Sequence, residues 1–370
     1  MLSRLAVSKH LSFVLIGILL IVTIASRLKY QGSLYGFDFG VYQPDGAHYT
    51  FRTLSYLGFS DAEAANRVVD WYQRFSVDTH NLTPEALIPA TNPSWGLSLP
   101  RVVYPLLSVI PVMLLGIPGM LFIPILSLVV LIFVIQLTAV KLGKKNLGLL
   151  ICFLLLASPT LMRWMIANCT DSLLAGLFAI YMYLIFVKPP SLSRNLFTGL
   201  LILLTSFTRF CLPIWIALFL AGFIHDRMKR KAAFWVIISF VSSLPAVLMQ
   251  PDGGSAFLPE QNDKSFIVKL IYLPLSYIKI AFIEIAELAV LDRLLLLLLI
   301  VGCYFSLRYR GSIESIFFIS VSLSVWTLGA LNGVLGVNFR YQLPLVPFLA
   351  WILLMGIPEV KLSDLRKVVR

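Results

Sequence analysis

The sequence predicts an all-α integral membrane protein, a single domain over residues 1–370 with about ten transmembrane helices, and three observations carry that prediction. Apolar runs recur along the chain at lengths close to the roughly 20 residues that a helix needs to cross the ~30 Å hydrocarbon core. Only 13% of the residues are charged against 59% hydrophobic, and the mean hydropathy is +0.88. A soluble domain carries about a quarter charged residues. The basic residues sit in short clusters between the apolar runs: Lys141/Lys144/Lys145, Arg227/Lys229/Arg230/Lys231, Arg308/Arg310 and Lys361/Arg366/Lys367/Arg370. Such clusters mark cytoplasmic loops. The net charge of +12 is therefore a topology signal, and nucleic acid is excluded as a partner.

The elements follow in order. Arg4 and Lys9 precede the apolar stretch from Leu11 to Ala25, which predicts a cytoplasmic N-terminus and an uncleaved anchor, although "TIAS" is a passable cleavage region. Residues 27–101 form the long polar region and hold seven of the eighteen acids, so they are expected outside. Within them "DAEAANRVVDWYQRF" (61–75) has helical spacing, with Asp61 as its cap and Glu63 in the first turn, and predicts an amphipathic helix on the membrane surface. Val102–Gly116 is apolar but short and interrupted by Pro105 and Pro111. With Arg101 outside and Lys141–Lys145 inside, an odd number of crossings must separate them. The reading is an interfacial or re-entrant helix followed by one span, Met120–Val140.

From there the alternation is regular. Leu147–Ser158 runs outward and Asp171–Val187 returns to "KPPSLSR"; Leu196–Thr208 runs out and Leu212–Ile224 returns to "HDRMKRK". Phe234–Met249 leads to a second outer loop, residues 250–287, whose segment Phe266–Glu287 is expected along the outer surface. Leu288–Leu307, Ser312–Leu331 and Leu343–Ile357 complete ten spans and leave the C-terminus in the cytoplasm of a cell-membrane protein. The two halves show no repeat, which argues against a transporter built from inverted repeats. Cys152, Cys169, Cys211 and Cys303 form no CxxC pair and read as packing residues.

The unusual polar residues all flank outer helix ends. They are Asp38, Asp45, His48 and Arg52 in "YGFDFGVYQPDGAHYTFRTL"; Arg163, Asn168 and Asp171 in "SPTLMRWMIANCTDS"; Arg209 in "TSFTRFCLP"; and Asn338, Arg340 and Tyr341 in "GVNFRYQLPLVP". Charges beside spans pair, line a cavity or do chemistry. Each has a plainer reading as well. Arg209 and Arg340 could snorkel to headgroups, Asp171 could cap the following span, and Arg163 could pair with Asp171. Asp45 is the strongest candidate for a general base or for an oxygen ligand to a divalent metal, because "PDG" favours a turn that presents its carboxylate. His48 and Arg52 lie at i+3 and i+7 from it, one face if a helix starts there. Asp38, in "GFDFG", is the second candidate, and either acid could also be a plain loop residue.

Taken together, these segments resemble the GT-C superfamily of membrane glycosyltransferases, which includes protein O-mannosyltransferases and bacterial aminoarabinose transferases. "DGAHY" (45–49) looks like the family's essential aspartate after the first span, with an aromatic a few residues on. "RVVYPLLSVI" resembles the helix that closes the first loop, "LLASPTLMRWMIANCTDSLLAGLFA" a helix pair with an aspartate, "LTSFTR" a segment ending in arginine, and "NFRYQLPLVPFL" the arginine–tyrosine segment near the C-terminus. The adjacent Asp-Glu pair of several members is absent.

The resemblance implies a polyprenyl-phosphate sugar as donor and a glycan, lipid or protein acceptor outside the cell, among membrane lipids. Asp45, Asp38 and His48 would be catalytic, and Arg340, Arg209, Tyr341 and Arg163 would bind the donor phosphate. A Mg²⁺ or Mn²⁺ on Asp45, Asp38 or Asp171 would be optional, and Tyr35, Phe37, Tyr42 and Tyr49 would offer faces to the sugar. The competing classes are a lipid or polysaccharide flippase or transporter, a polysaccharide polymerase or ligase, and a non-enzymatic assembly subunit.

Overall fold

A computed structural model describes residues 8–30, 42, 44–75, 82–89, 101–189, 191–224, 229–248, 266–332 and 339–358. All regular structure among them is helical. Helix α1 (Lys9–Tyr30) is followed by three helices of the polar region, α2 (Pro44–Tyr56), α3 (Asp61–Phe75) and α4 (Pro84–Leu87). Then come α5 (Val103–Leu115), a 3₁₀ turn (Ile117–Leu121), α6 (Phe122–Lys141), α7 (Lys145–Ala157), α8 (Pro159–Met165) and α9 (Asp171–Phe186). The rest are α10 (Leu192–Ser206), α11 (Leu212–Ile224), α12 (Lys229–Leu248), α13 (Phe266–Leu291), α14 (Arg293–Arg308), α15 (Ile313–Asn332), a 3₁₀ turn (Leu343–Leu345) and α16 (Val346–Gly356).

Two stretches, His10–Lys29 and Ile117–Lys141, are long and apolar enough to cross a membrane alone. Helices α7 and α8 form a third apolar pair bent by 78°, and seven shorter apolar helices of 10–17 residues accompany them among the described residues. The surface of these helices is itself apolar. Helix α1 turns Leu11, Val14, Leu15, Ile18, Ile21 and Val22 outward, and α10 does the same with Leu192, Leu196, Phe197, Leu200 and Leu203. Apolar stripes of that length suit lipid as the surrounding solvent, not water.

Helix α6 packs against α9 at the centre. A Cβ added to Gly176 of α9 would meet the Ser127 backbone oxygen of α6 at 3.1 Å, so a small residue brings these backbones close. At one pole the Lys144 ammonium donates to the carbonyls of Leu354 (2.6 Å) and Ile357 (3.0 Å), capping α16 beside the α6–α7 turn. The Lys141–Lys145 cluster and the end of the last helix thus meet there. The opposite pole carries the first residues of α9, the residues after α10 and those before α16.

Helix α5 does not run on into α6. Gly116 adopts φ 68°, and the chain doubles back so that the Tyr104 hydroxyl donates to the Met120 carbonyl at 2.9 Å.

Helix α3 occupies the predicted residues, but its cap differs. Ser60, not Asp61, closes the helix: its backbone N–H and hydroxyl reach the Glu63 carboxylate at 3.2 and 2.9 Å, and its Oγ accepts from the Glu63 N–H. That is a capping box, with the cap one residue earlier than the aspartate suggested. Ala64, Ala65, Val68, Val69 and Tyr72 form the buried face. All four cysteines are free thiols.

Candidate functional site

The local fold of the "PDG" segment determines where the site lies. The expected tight turn is instead the first turn of α2: Pro44, with its ring-fixed φ, opens the helix and Asp45 follows in that turn. Gly46 is needed because the helix start touches the α8–α9 connection. A Cβ there would lie 2.3 Å from the Asn168 backbone oxygen and 2.8 Å from the Tyr72 hydroxyl.

Asn168 fastens this junction. Its amide Nδ2 donates to Thr50 Oγ1 (3.1 Å) and to the Tyr72 hydroxyl, while its Oδ1 shares the Tyr104 hydroxyl proton with the Met120 carbonyl. One buried amide therefore joins α2, α3 and α5 to the residues just before α9. Hydrogen-bonded buried networks of this kind fix one arrangement, since each unpaired member would carry a desolvation cost.

Around that junction four segments converge. Arg340 lies between two acids: its Nη1 is 2.6 Å from Asp45 Oδ2, and its Nε donates to Asp171 Oδ2 at 2.8 Å. The other Asp171 oxygen pairs with Arg209 Nη1. The Arg209 guanidinium lies over the Tyr341 ring at 4.4 Å, and Arg340 lies over Trp164 at 5.0 Å. Asp171, Arg209 and Arg340 are buried, whereas Asp45 keeps 52% of its side-chain surface accessible.

The sequence expectations for these groups divide. The structure brings together Asp45, Asp171, Arg209, Arg340 and Tyr341, with His48 one turn along α2 from Asp45. Arg163 does not pair with Asp171. Both oxygens of that acid are taken by the other two arginines, and Arg163 stacks on Trp164 at 4.6 Å instead. Asp171 likewise caps nothing; the pairing of its carboxylate with two cations replaces the capping role. Arg52 turns to the Tyr56 hydroxyl at 2.8 Å. Asp38, Tyr35, Phe37 and Asn338 lie outside the described residues.

The structure also adds members with little sequence signal. Arg101 donates to the Tyr49 hydroxyl at 2.9 Å, yet in the sequence it only ends the polar region. Trp164 has two arginines, Arg163 and Arg340, against its ring, and nothing in "LMRWM" announces that.

The charges set the protonation. The Arg340 guanidinium holds the Asp45 carboxyl down at about 2, against the opposing effect of burial, with Arg101 assisting. Burial pushes the His48 imidazole below its ordinary value, and the neighbouring Asp45 only partly offsets that. His48 is therefore neutral at pH 7. Because half of Asp45 meets solvent, its ion pair acts as a positional constraint and contributes little stability.

Of the three candidate ligands to a divalent cation, Asp45 and Asp171 pair with arginines, and Asp38 lies outside the described residues. Mg²⁺ and Mn²⁺ need several oxygen ligands, and no cluster of three His, Cys, Asp or Glu converges among the described residues.

The same groups have the chemistry that suits an anion. Two buried guanidinium groups share one carboxylate, and the Arg340 Nη2 is buried with no hydrogen-bond partner among the described residues. An orphaned donor on a planar fork favours a phosphate or carboxylate ligand. Comparison of the chain with protein-family models and with curated proteins gives no match.

Proposed function

We propose that this protein is a polytopic membrane glycosyltransferase of the GT-C kind. It moves a sugar from a polyprenyl-phosphate donor to a glycan, lipid or protein hydroxyl outside the cell, with inversion. The reading includes ten spans in the cell membrane, both termini in the cytoplasm, and residues 27–101 and 250–287 outside. One observation carries it: an accessible carboxylate, Asp45, sits 2.6 Å from a buried arginine that shares Asp171 with a second one. General base and leaving-group clamp are thus neighbours at a single helix pole.

The chemistry follows from that adjacency. The acceptor oxygen attacks the anomeric carbon while Asp45 takes its proton, and the bond from that carbon to the phosphate oxygen breaks. The departing polyprenyl phosphate carries the electron pair, and Arg340 and Arg209 stabilise its charge. In the resting arrangement Asp45 is a poor base because Arg340 depresses it. A donor phosphate that draws Arg340 toward itself removes that depression. Donor binding then activates the base, while Asp171 stays paired with Arg209.

The test uses purified protein in nanodiscs with a panel of polyprenyl-phosphate sugars and hydroxyl acceptors. The reading expects loss of sugar from at least one carrier lipid and its appearance on an acceptor. No transfer from any donor, together with lipid scrambling in vesicles, would replace it with the flippase reading.

A further inference from the structure

We propose that Glu284, on α13, is a positioning residue for Arg340 and acts through the backbone of Phe339; its functional consequence rests on the phosphate-binding reading of the site. Phe339 has φ 65°, and no other non-glycine residue described adopts a positive φ. An L-residue in this region is strained, and phenylalanine has no polar side chain to offset it. The conformation persists because both sides of the residue are held. The ring is fully buried, and the backbone N–H donates to Glu284 Oε2 at 2.7 Å.

The turn so fixed leads directly into Arg340. Its direction sets where the next Cα points, and hence whether the guanidinium reaches between Asp45 and Asp171. Glu284 belongs to a buried stripe of α13 at four-residue spacing, Ile280, Glu284 and Leu288, in which an aliphatic side chain would pack without desolvating a carboxyl. The acid's other oxygen, Oε1, is buried with no hydrogen-bond partner among the described residues. One bond, to the turn before Arg340, thus accounts for a polar group at a costly place.

The experiment uses full-length protein in nanodiscs, with amide hydrogen exchange at Phe339 and affinity for a polyprenyl phosphate as readouts. Glu284→Gln keeps an acceptor oxygen, while Glu284→Leu and Glu284→Met keep the volume and remove it. The expected result is near-native behaviour for Glu284→Gln. For Glu284→Leu and Glu284→Met, exchange at Phe339 rises about tenfold and affinity falls about tenfold, with no further loss when either is added to Arg340→Met. A role confined to packing would add its effect in that background, and such additivity overturns the proposal. So does a lost affinity in folded Glu284→Gln. Weaker binding in Arg340→Met but not in Glu284→Leu or Glu284→Met removes the positioning role alone. Native affinity in all of them removes the phosphate reading, and this role with it.

Discussion

At the scale of single residues, the two acids of the site have opposite jobs, and substitution separates them. Asp171 is buried between two guanidinium groups, so Asp171→Asn leaves two buried cations short of their anion. Removing one partner of a buried ion pair costs about 3–5 kcal/mol, and thermal unfolding should show a loss of that order. Asp45 is half exposed, and Asp45→Asn should leave the melting temperature nearly unchanged. Turnover should instead fall by about 10²–10⁴-fold, the usual contribution of a general base. Donor affinity should hold or improve, because Arg340 loses a competing anion. Turnover unchanged in Asp45→Asn, measured with a donor that the native protein uses, removes Asp45 as the base.

His48 gives a pH signature. Its folded value lies below the unfolded one, so the unfolded chain binds the extra proton first. Stability is then full above about pH 6.5, the ordinary histidine value, and falls as the pH drops through the window below it. His48→Gln should flatten that part of a stability-against-pH curve. Asp45 has the carboxylate sign: its contribution is present above about pH 4 and is lost toward its folded value of about 2.

At the scale of elements, the first turn of α2 is the joint on which the site depends. Gly46→Ala pushes a methyl carbon into the Asn168 backbone oxygen at 2.3 Å. Backbone cannot yield as a flexible side chain does, so a cost of about 1–3 kcal/mol or more is expected. Amide hydrogen exchange in α2 should then be faster than in the native protein. Equal exchange rates would show that α2 is not held by this contact.

How far the sequence discloses these elements depends on the range of the interactions that form them. The apolar face of "DAEAANRVVDWYQRF" repeats with helical period, so α3 is readable to the residue, and only its cap needed the Ser60–Glu63 reciprocity. Pro-Asp-Gly reads equally well as a turn or as a helix start, and the contact with Asn168, more than 100 positions away, decides it. Arg209, Arg340 and Asp45 are visible as charges beside apolar runs. Their shared geometry is not, because it depends on Asp171 having two oxygens and Arg163 a nearby tryptophan. Glu284 is hidden for the same reason: its partner is a backbone N–H 55 positions away.

At the scale of the whole molecule, the proposed topology has the pole with Asp45, Asp171, Arg209 and Arg340 outside the cell, and Lys144 and the end of α16 lie at the other pole. A membrane-impermeant thiol reagent should therefore label Ser76→Cys in intact cells, in a background lacking the exposed Cys303. Labelling only after permeabilisation reverses the orientation and would place the site among nucleotide sugars instead of lipid-linked ones.

Phosphate binding through the planar fork of Arg340 can be read from the affinity of Arg340→Lys for a polyprenyl phosphate. Lysine keeps the charge but cannot form two parallel bonds. A charge-assisted hydrogen bond is worth about 1.5–3 kcal/mol, so affinity should drop about 10–100-fold, while Arg308→Lys, on an exposed arginine elsewhere, changes nothing. Native affinity in Arg340→Lys would remove Arg340 from the phosphate site, because a side chain that merely snorkels to lipid headgroups tolerates that exchange.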